Sequence, residues 1–194
     1  MAKVIVFLLC LAPVGYLAWG LVYGELGANP IEYITRDTGD WTMRFLLLSL
    51  LVTPARRLLG KPGLIRYRRM LGLFGFFYAV LHFVTYIWLD RFFDIPDTMK
   101  DIAKRPFILV GFLSFLLLIP LAVTSTAGWI RRLGGKRWAI LHRAVYLSVI
   151  LGVVHYWWLV KSDIRMPLLY AVLAALLLGY RVVTRFWPAS PSSR

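Results

Sequence analysis

Residues Trp138 to Val160, WAILHRAVYLSVILGVVHYWWLV, form the most informative run of this sequence. It is long and apolar enough to cross a bilayer, since a helix of about 20 mainly apolar residues spans roughly 30 Å of hydrocarbon. It nevertheless carries two of the three histidines of the chain, His142 and His155. The third, His82, lies in another apolar run, Met70–Leu89. An ionisable side chain inside a membrane span is costly, so these histidines indicate a functional site.

The composition is that of a membrane protein. Of the 194 residues, 60% are hydrophobic and 16% are charged, and the mean hydropathy is +0.70. Soluble domains have an apolar share of about 45–50%. The apolar runs are continuous rather than alternating, which favours helices over a membrane barrel.

We therefore predict an all-α integral membrane protein whose six transmembrane helices form a bundle. The predicted spans are Val4–Tyr23, Trp41–Ala55, Met70–Leu89, Phe107–Thr124, Trp138–Val160 and Pro167–Phe186. They form a single domain, residues 1–187, and residues 188–194 are predicted to be a disordered cytoplasmic tail. Between the third and fourth spans, Thr98–Arg105 has the pattern of a short amphipathic helix that lies on the membrane surface. The segment before the second span is read as an outer loop.

The net charge of +14 is unevenly distributed between the two sides of the membrane. With the amino terminus in the cytoplasm, the cytoplasmic segments hold most of the 23 basic residues, and all nine acidic residues lie in loops on the other side. This is the positive-inside pattern, and it predicts that both termini are cytoplasmic. The basic face suits anionic lipid headgroups, so the charge indicates a lipid bilayer as partner and no nucleic acid.

Small residues precede two of the histidines at helical spacing. On the third span, one helix face carries Gly72, Gly75, Ala79 and His82. On the fifth span, the corresponding face carries Ser148, Gly152 and His155. Two interpretations are open: close packing of neighbouring helices, or two grooves that close around one planar ligand between the histidines.

The position of His142 also leaves alternatives open. It lies 13 residues from His155, which on a straight helix is a rise of ~20 Å and a rotation of roughly 140°. Either the helix bends between them, with Gly152 the weak point, or His142 serves another site near the cytoplasmic surface. A third interpretation is a histidine at the membrane interface that is bonded to lipid or to loop carbonyls.

Imidazoles without carboxylates in the predicted spans favour haem over other metal sites. Ion pumps place acidic residues within their spans, and zinc or di-iron sites use carboxylates or thiolates. The single cysteine, Cys10, provides neither a disulfide nor a thiolate site. Haem iron takes axial histidines, and an axial pair leaves no open coordination position, which favours electron transfer. Three arginines at the cytoplasmic edge are either partners of haem propionates or only positive-inside charge: Arg68, Arg69 and Arg143.

Five separated blocks between Pro30 and Trp187 resemble the ferric-reductase-like transmembrane family. They are TGDWTMRFLLLSLLVTPARR, RRMLGLFGFFYAVLH, RPFILVGFLSFLLLIPLAVTS, WAILHRAVYL with VVHYWWLVKSD, and MPLLYA. Within that family, the sequence is similar to the haem-binding membrane subunits of bacterial periplasmic methionine-sulfoxide reductase systems.

The resemblance implies a b-type haem in the bacterial inner membrane. Electrons would come from a cytoplasmic flavin reductase or from quinol and pass to a periplasmic molybdopterin-containing methionine-sulfoxide reductase, with no substrate chemistry in this chain. FMN is also associated with the family. His82 and His155 match the axial pair of one haem, and His142 matches a ligand of a second, whose other ligand position falls near Arg68. The alternatives are a histidine-lined metal transporter and a non-redox membrane anchor.

Overall fold

The computed structural model describes residues 1–186, and within them the chain forms nine α-helices and no strand. The helices are α1 (Ala2–Tyr23), α2 (Pro30–Leu58), α3 (Ile65–Thr85), α4 (Ile95–Lys104), α5 (Pro106–Val123), α6 (Ala127–Leu133), α7 (Gly135–Leu141), α8 (Ala144–Leu159) and α9 (Arg165–Phe186). A 3-10 turn, Pro62–Leu64, leads into α3, and a π-helical turn, Tyr86–Asp90, follows it. The all-α prediction is confirmed. The predicted tail, residues 188–194, lies outside the described residues.

Five helical stretches within residues 1–186 are long and apolar enough to cross a membrane. They are Ala2–Tyr23, Pro62–Asp90, Pro106–Val123, Gly135–Leu159 and Arg165–Thr184. The remaining predicted span lies within α2, which has 29 residues but is more polar than the other long helices. Its sequence includes three acidic residues and four arginines. Length and composition therefore indicate a membrane protein with five evident spans.

The prediction of an outer loop before Trp41 is wrong, because α2 already begins at Pro30. Asn29 caps the helix by accepting a hydrogen bond from the backbone N–H of Glu32 at 3.2 Å. Proline at the first helical position is favoured because its missing N–H has no partner there in any case. As a consequence, Asp37 and Asp40 lie inside a helix, and the expectation that every acidic residue lies in a loop is also wrong.

The predicted continuous span from Trp138 to Val160 is broken in the structure. Helix α7 ends at Leu141 and α8 begins at Ala144, so the break falls at His142 and Arg143. Tertiary contacts of His142, described below, hold this turn in place. Gly152, which one of the three interpretations of His142 made the site of a bend, lies inside α8.

The small residues of the two stripes pack against neighbouring helices. A Cβ atom on Gly75 would lie 2.9 Å from Cδ2 of Leu46 in α2, and one on Gly152 would lie 2.8 Å from Sδ of Met43, also in α2. Both Leu46 and Met43 belong to the buried core. The contacts of Gly75 and Gly152 are therefore those of helix packing.

The predicted amphipathic helix is present as α4, three residues earlier than expected. Asp94 caps it by accepting a hydrogen bond from the N–H of Asp97 at 2.9 Å. The buried carboxylate of Asp101 ties α4 to the end of α3, because it accepts a hydrogen bond from Tyr86 at 2.8 Å and forms an ion pair with Arg91.

Candidate metal centre

His82 lies near the end of α3 and turns its ring toward α2. Its Nδ1 atom donates a hydrogen bond to the backbone carbonyl of Thr35 at 2.8 Å. The ring rests against Gly39, where an added Cβ would lie 3.2 Å from Nδ1 and Cε1. The side chain of His82, which belongs to α3, is thus held by the backbone of α2.

His155 in α8 is held in the same way by α5. Its Nδ1 atom donates to the backbone carbonyl of Phe107 at 2.7 Å. Its ring lies on Gly111, where an added Cβ would lie 2.6 Å from Nδ1. In both cases the carbonyl belongs to the residue four positions before the glycine.

These hydrogen bonds determine which ring nitrogens are available to a metal. A carbonyl oxygen only accepts, so Nδ1 of His82 and of His155 must carry the hydrogen. Each Nε2 then has a free lone pair. Metal-binding histidines in proteins commonly have this arrangement, with one nitrogen donating to a carbonyl and the other facing the metal.

The separation of the two rings fits a single metal atom between them. The ring centres of His82 and His155 are 6.2 Å apart and the ring planes are inclined by 78°. An imidazole nitrogen binds a metal at about 2 Å and lies about 1 Å from its own ring centre, so two imidazoles on opposite sides of one metal have centres about 6 Å apart. Both histidines are half-buried.

The protein supplies this centre with few ligands. Among residues 1–186, no group of three or more histidine, cysteine, aspartate or glutamate side chains is placed to hold a metal ion. A metal between His82 and His155 would therefore take its other ligands from a bound group. A prosthetic group that brings its own metal ligands would satisfy this requirement.

The structure separates His142 from the other two histidines. Its Nε2 lies 3.0 Å from Oγ1 of Thr124, whose hydroxyl hydrogen is donated to the carbonyl of Pro120 at 2.6 Å. Nε2 of His142 is therefore the donor to Thr124. The ring also stacks on Trp138, with centres 3.9 Å apart. Of the three interpretations of His142, this is closest to a histidine at the membrane interface. Its partner is a threonine hydroxyl rather than a lipid or a loop carbonyl.

The predicted propionate partners lie at the His142 end of the bundle. Arg68 precedes His82 by 14 residues on α3, a rise of about 21 Å. It lies close enough to His142 to act on it electrostatically. Arg69 and Arg143 are exposed. The position of Arg68 argues against contact with a group held by His82 and His155.

Sequence reasoning missed the residues that hold the two histidines. Gly39 fell in the predicted outer loop, and Gly111 lies in the predicted fourth span, to which we assigned no site residue. A glycine inside an apolar run such as that around Gly111 was the only local signal. The carbonyls of Thr35 and Phe107 give no sequence signal, because every residue has one.

The chain is thus a helical membrane bundle in which two histidine rings from different helices lie close together. A family of membrane proteins matches it. The family model described as "Ferric reductase like transmembrane component" matches residues 38–153. That range includes Gly39, His82 and Gly111 and ends two residues before His155.

Similar proteins cover nearly the whole chain. A protein of Herminiimonas arsenicoxydans is 54% identical over 187 residues, which is 95% of this chain and 84% of the relative. One of Caulobacter vibrioides is 51% identical over 97% of this chain and 90% of its own length. One of Bordetella parapertussis is 46% identical over 99% and 93%. All three are named "Protein-methionine-sulfoxide reductase heme-binding subunit MsrQ". The chain therefore belongs to the MsrQ family of ferric-reductase-like transmembrane proteins.

Proposed function

We propose that the chain binds one b-type haem between His82 and His155 and transfers electrons across the membrane as a subunit of a methionine-sulfoxide reductase system. The single observation that carries this proposal is the facing histidine pair, 6.2 Å apart, with each Nδ1 bonded to a carbonyl. The relatives, which are named as heme-binding subunits, support it.

The residues fit the chemistry of haem. When bound, haem would supply one-electron chemistry, and imidazoles are common ligands of its iron. His82 and His155 would be the residues that hold the iron, and a pair of imidazole ligands suits electron transfer better than substrate binding at the metal. The surrounding helices hold the two rings in place. We therefore infer electron transfer without substrate chemistry in this chain.

The proposed arrangement has six spans, with α2 as the second and the haem between the third and fifth. Counting α2 is supported by its length of 29 residues and by its packing against α3. An even number of spans returns the chain to the side on which it starts. Together with the positive-inside pattern, this supports cytoplasmic termini in a bacterial inner membrane.

The proposed electron path runs from a cytoplasmic flavin reductase or quinol to a periplasmic molybdopterin-containing methionine-sulfoxide reductase. The names of the relatives support the link to a methionine-sulfoxide reductase, since they place those proteins in such a system. The periplasmic position and the molybdopterin cofactor of that reductase are implied by the family resemblance alone. FMN stays a prediction of the family resemblance, and no described residue supports it.

A second haem at His142 also stays a prediction. Nε2 of His142 is engaged by Thr124, so Nδ1 is the only ring nitrogen left for a metal. The residue near the opposite ligand position is Arg68, which is not a metal ligand.

The alternative functions explain the site less well. Asp40 lies within α2, so an acidic residue is available to a transporter. The two histidines, however, are fixed by backbone hydrogen bonds. They have no third protein ligand among residues 1–186, which suits a resident group better than a passing ion. A protein that served only as a membrane anchor would not require His82 and His155 to be held in this way.

Absorption spectroscopy and haem stoichiometry test the proposal. The intact chain, purified in detergent from cells supplied with haem precursor, should show a Soret band that shifts on reduction with dithionite. The pyridine haemochrome assay should give a b-type haem at one per chain. A folded, monodisperse preparation without a Soret band would reject the proposal.

A further inference from the structure

We propose that Gly39 and Gly111 are positioning residues that aim His82 and His155 at the metal by leaving one backbone carbonyl uncovered for each ring. The inference rests on the proposed haem site and adds to it two residues that would not themselves contact the iron. It is supported by the same arrangement in two separate helix pairs, α2 with α3 and α5 with α8.

The helical geometry explains why glycine is needed. In an α-helix the carbonyl of residue i points toward residue i+4, and Cβ of residue i+4 leans back toward that carbonyl. A side chain at i+4 therefore covers the oxygen of residue i. Gly39 follows Thr35 by four residues, and Gly111 follows Phe107 by four residues, so both carbonyls are open to a ring from the next helix.

The two positions differ in how much space they leave. A Cβ on Gly111 would lie 2.6 Å from Nδ1 of His155 and 2.9 Å from Cγ and Cε1, well inside van der Waals contact. A Cβ on Gly39 would lie 3.2 Å from Nδ1 and Cε1 of His82, which a small shift relieves. The effect of an added methyl group should therefore be larger at Gly111.

The rigid ring distinguishes these glycines from those in the helix-packing stripes. At Gly75 and Gly152, an added Cβ would meet the flexible ends of Leu46 and Met43, which can rotate away. At Gly111 it would meet a planar ring whose Nδ1 is bonded at 2.7 Å. The ring of His155 cannot move aside without losing that hydrogen bond.

The hydrogen bond matters for the metal as well as for the ring. Donation from Nδ1 to a carbonyl makes Nε2 a more basic ligand, and a more basic ligand favours the oxidised, more positive metal. Loss of the bond should weaken haem binding and raise the reduction potential of any haem that remains. A glycine that served only helix packing would not change the potential.

Three single variants of the full chain test this inference. Gly39→Ala and Gly111→Ala change the proposed positions. Gly179→Ala in α9 is the matched control, because no neighbouring atom in the described part of the chain lies within 4 Å of its added Cβ. Each variant is purified in detergent, and haem per chain, the electron paramagnetic resonance spectrum of the ferric form and the reduction potential are measured.

Gly179→Ala should match the wild type in all three measurements. Gly111→Ala should lose haem affinity about tenfold or more, as expected when the hydrogen-bond partner of a metal ligand is lost, and should show high-spin iron. Gly39→Ala should retain most of its haem with a smaller upward shift in potential. Wild-type spectrum, potential and occupancy in Gly111→Ala would overturn the inference.

Folding and the haem proposal are tested separately. If Gly111→Ala does not fold, the double variant Gly111→Ala/His155→Ala should fold again, because the ring that the methyl group meets is gone. Continued failure of the double variant to fold would count against a role specific to His155. A wild-type protein without haem would overturn the proposed function, whereas a haem-binding wild type with an unaffected Gly111→Ala overturns only the inference.

Discussion

Tyr78 inserts its hydroxyl group into helix α1 beside Val14. The hydroxyl accepts a hydrogen bond from the backbone N–H of Val14 at 3.1 Å and donates one to the carbonyl of Cys10 at 2.9 Å. Pro13 lacks an N–H, which opens the helix at this turn. Tyr78 is fully buried and precedes His82 by one helical turn, so the contact ties α1 to the helix that carries a proposed ligand.

Tyr78→Phe should destabilise the protein without changing its fold. The ring remains in its place, but Val14 and Cys10 lose a buried partner, which costs about 1–3 kcal/mol. Thermal unfolding in detergent, followed by circular dichroism, measures the loss. Tyr23→Phe is the control because Tyr23 is exposed. Equal melting temperatures of the two variants would contradict the role of the hydroxyl.

His82→Ala and His155→Ala should each remove most of the bound haem, because one axial imidazole cannot replace the other. His142→Ala should remove a smaller or separate fraction, since its ring contacts Thr124 and Trp138 and lies away from the pair. The Soret absorbance per chain provides the measurement. Complete and equal loss in all three variants would refute the separation of the two sites.

Ser114 and Ser148 should act as a coupled pair between α5 and α8. Ser114 donates to the carbonyl of Ser148 at 2.9 Å, and the two hydroxyl oxygens are 3.0 Å apart. Each serine-to-alanine variant should lose about 1 kcal/mol of stability. The double variant should lose less than the sum, with a coupling of at least about 0.5 kcal/mol in a double-mutant cycle. Additive losses would show that the hydroxyl groups act independently.

Asp101→Asn should release α4 from the end of α3. Burial lowers the pKa of Arg91, but Asp101, Tyr86 and Asp90 together raise it above its ordinary value, so the guanidinium stays charged. Removing the carboxylate would leave that charge without its most buried partner. Trypsin should then cut faster at Lys100 and Lys104.

Asp97→Asn is the matched control for this experiment. Asp97 also bonds Arg91, at 3.0 Å, but its side chain is 57% exposed against 10% for Asp101. Water can replace an exposed partner, so its loss should change the cleavage rate little. Equal acceleration by both substitutions would show that total charge, and not the buried contact, holds α4.

The sequence was sufficient to predict the helical class, and the family resemblance implied that His82 and His155 form a pair. Histidines are rare enough in apolar runs that their positions carry information. The start of α2 was also readable, since Asn29 and Pro30 form a helix-start signal that we assigned to a loop.

The break at His142 and the role of the two glycines could not be predicted in the same way. The turn at His142 depends on contacts with Thr124 and Trp138, of which only Trp138 is close in sequence. Gly111 and His155, which pack against each other, are 44 residues apart in the sequence and belong to different helices. Such contacts follow from how helices meet, which local periodicity does not determine.

The ring of His82 is attached to α3 and bonded to the backbone of α2, and the ring of His155 is attached to α8 and bonded to the backbone of α5. Four helices therefore fix the distance between the two rings. A coordination sphere braced in this way moves little when the charge at its centre changes. The nuclear rearrangement that accompanies each oxidation or reduction would then be small. This arrangement would therefore increase the rate of electron transfer more than the affinity for the bound group.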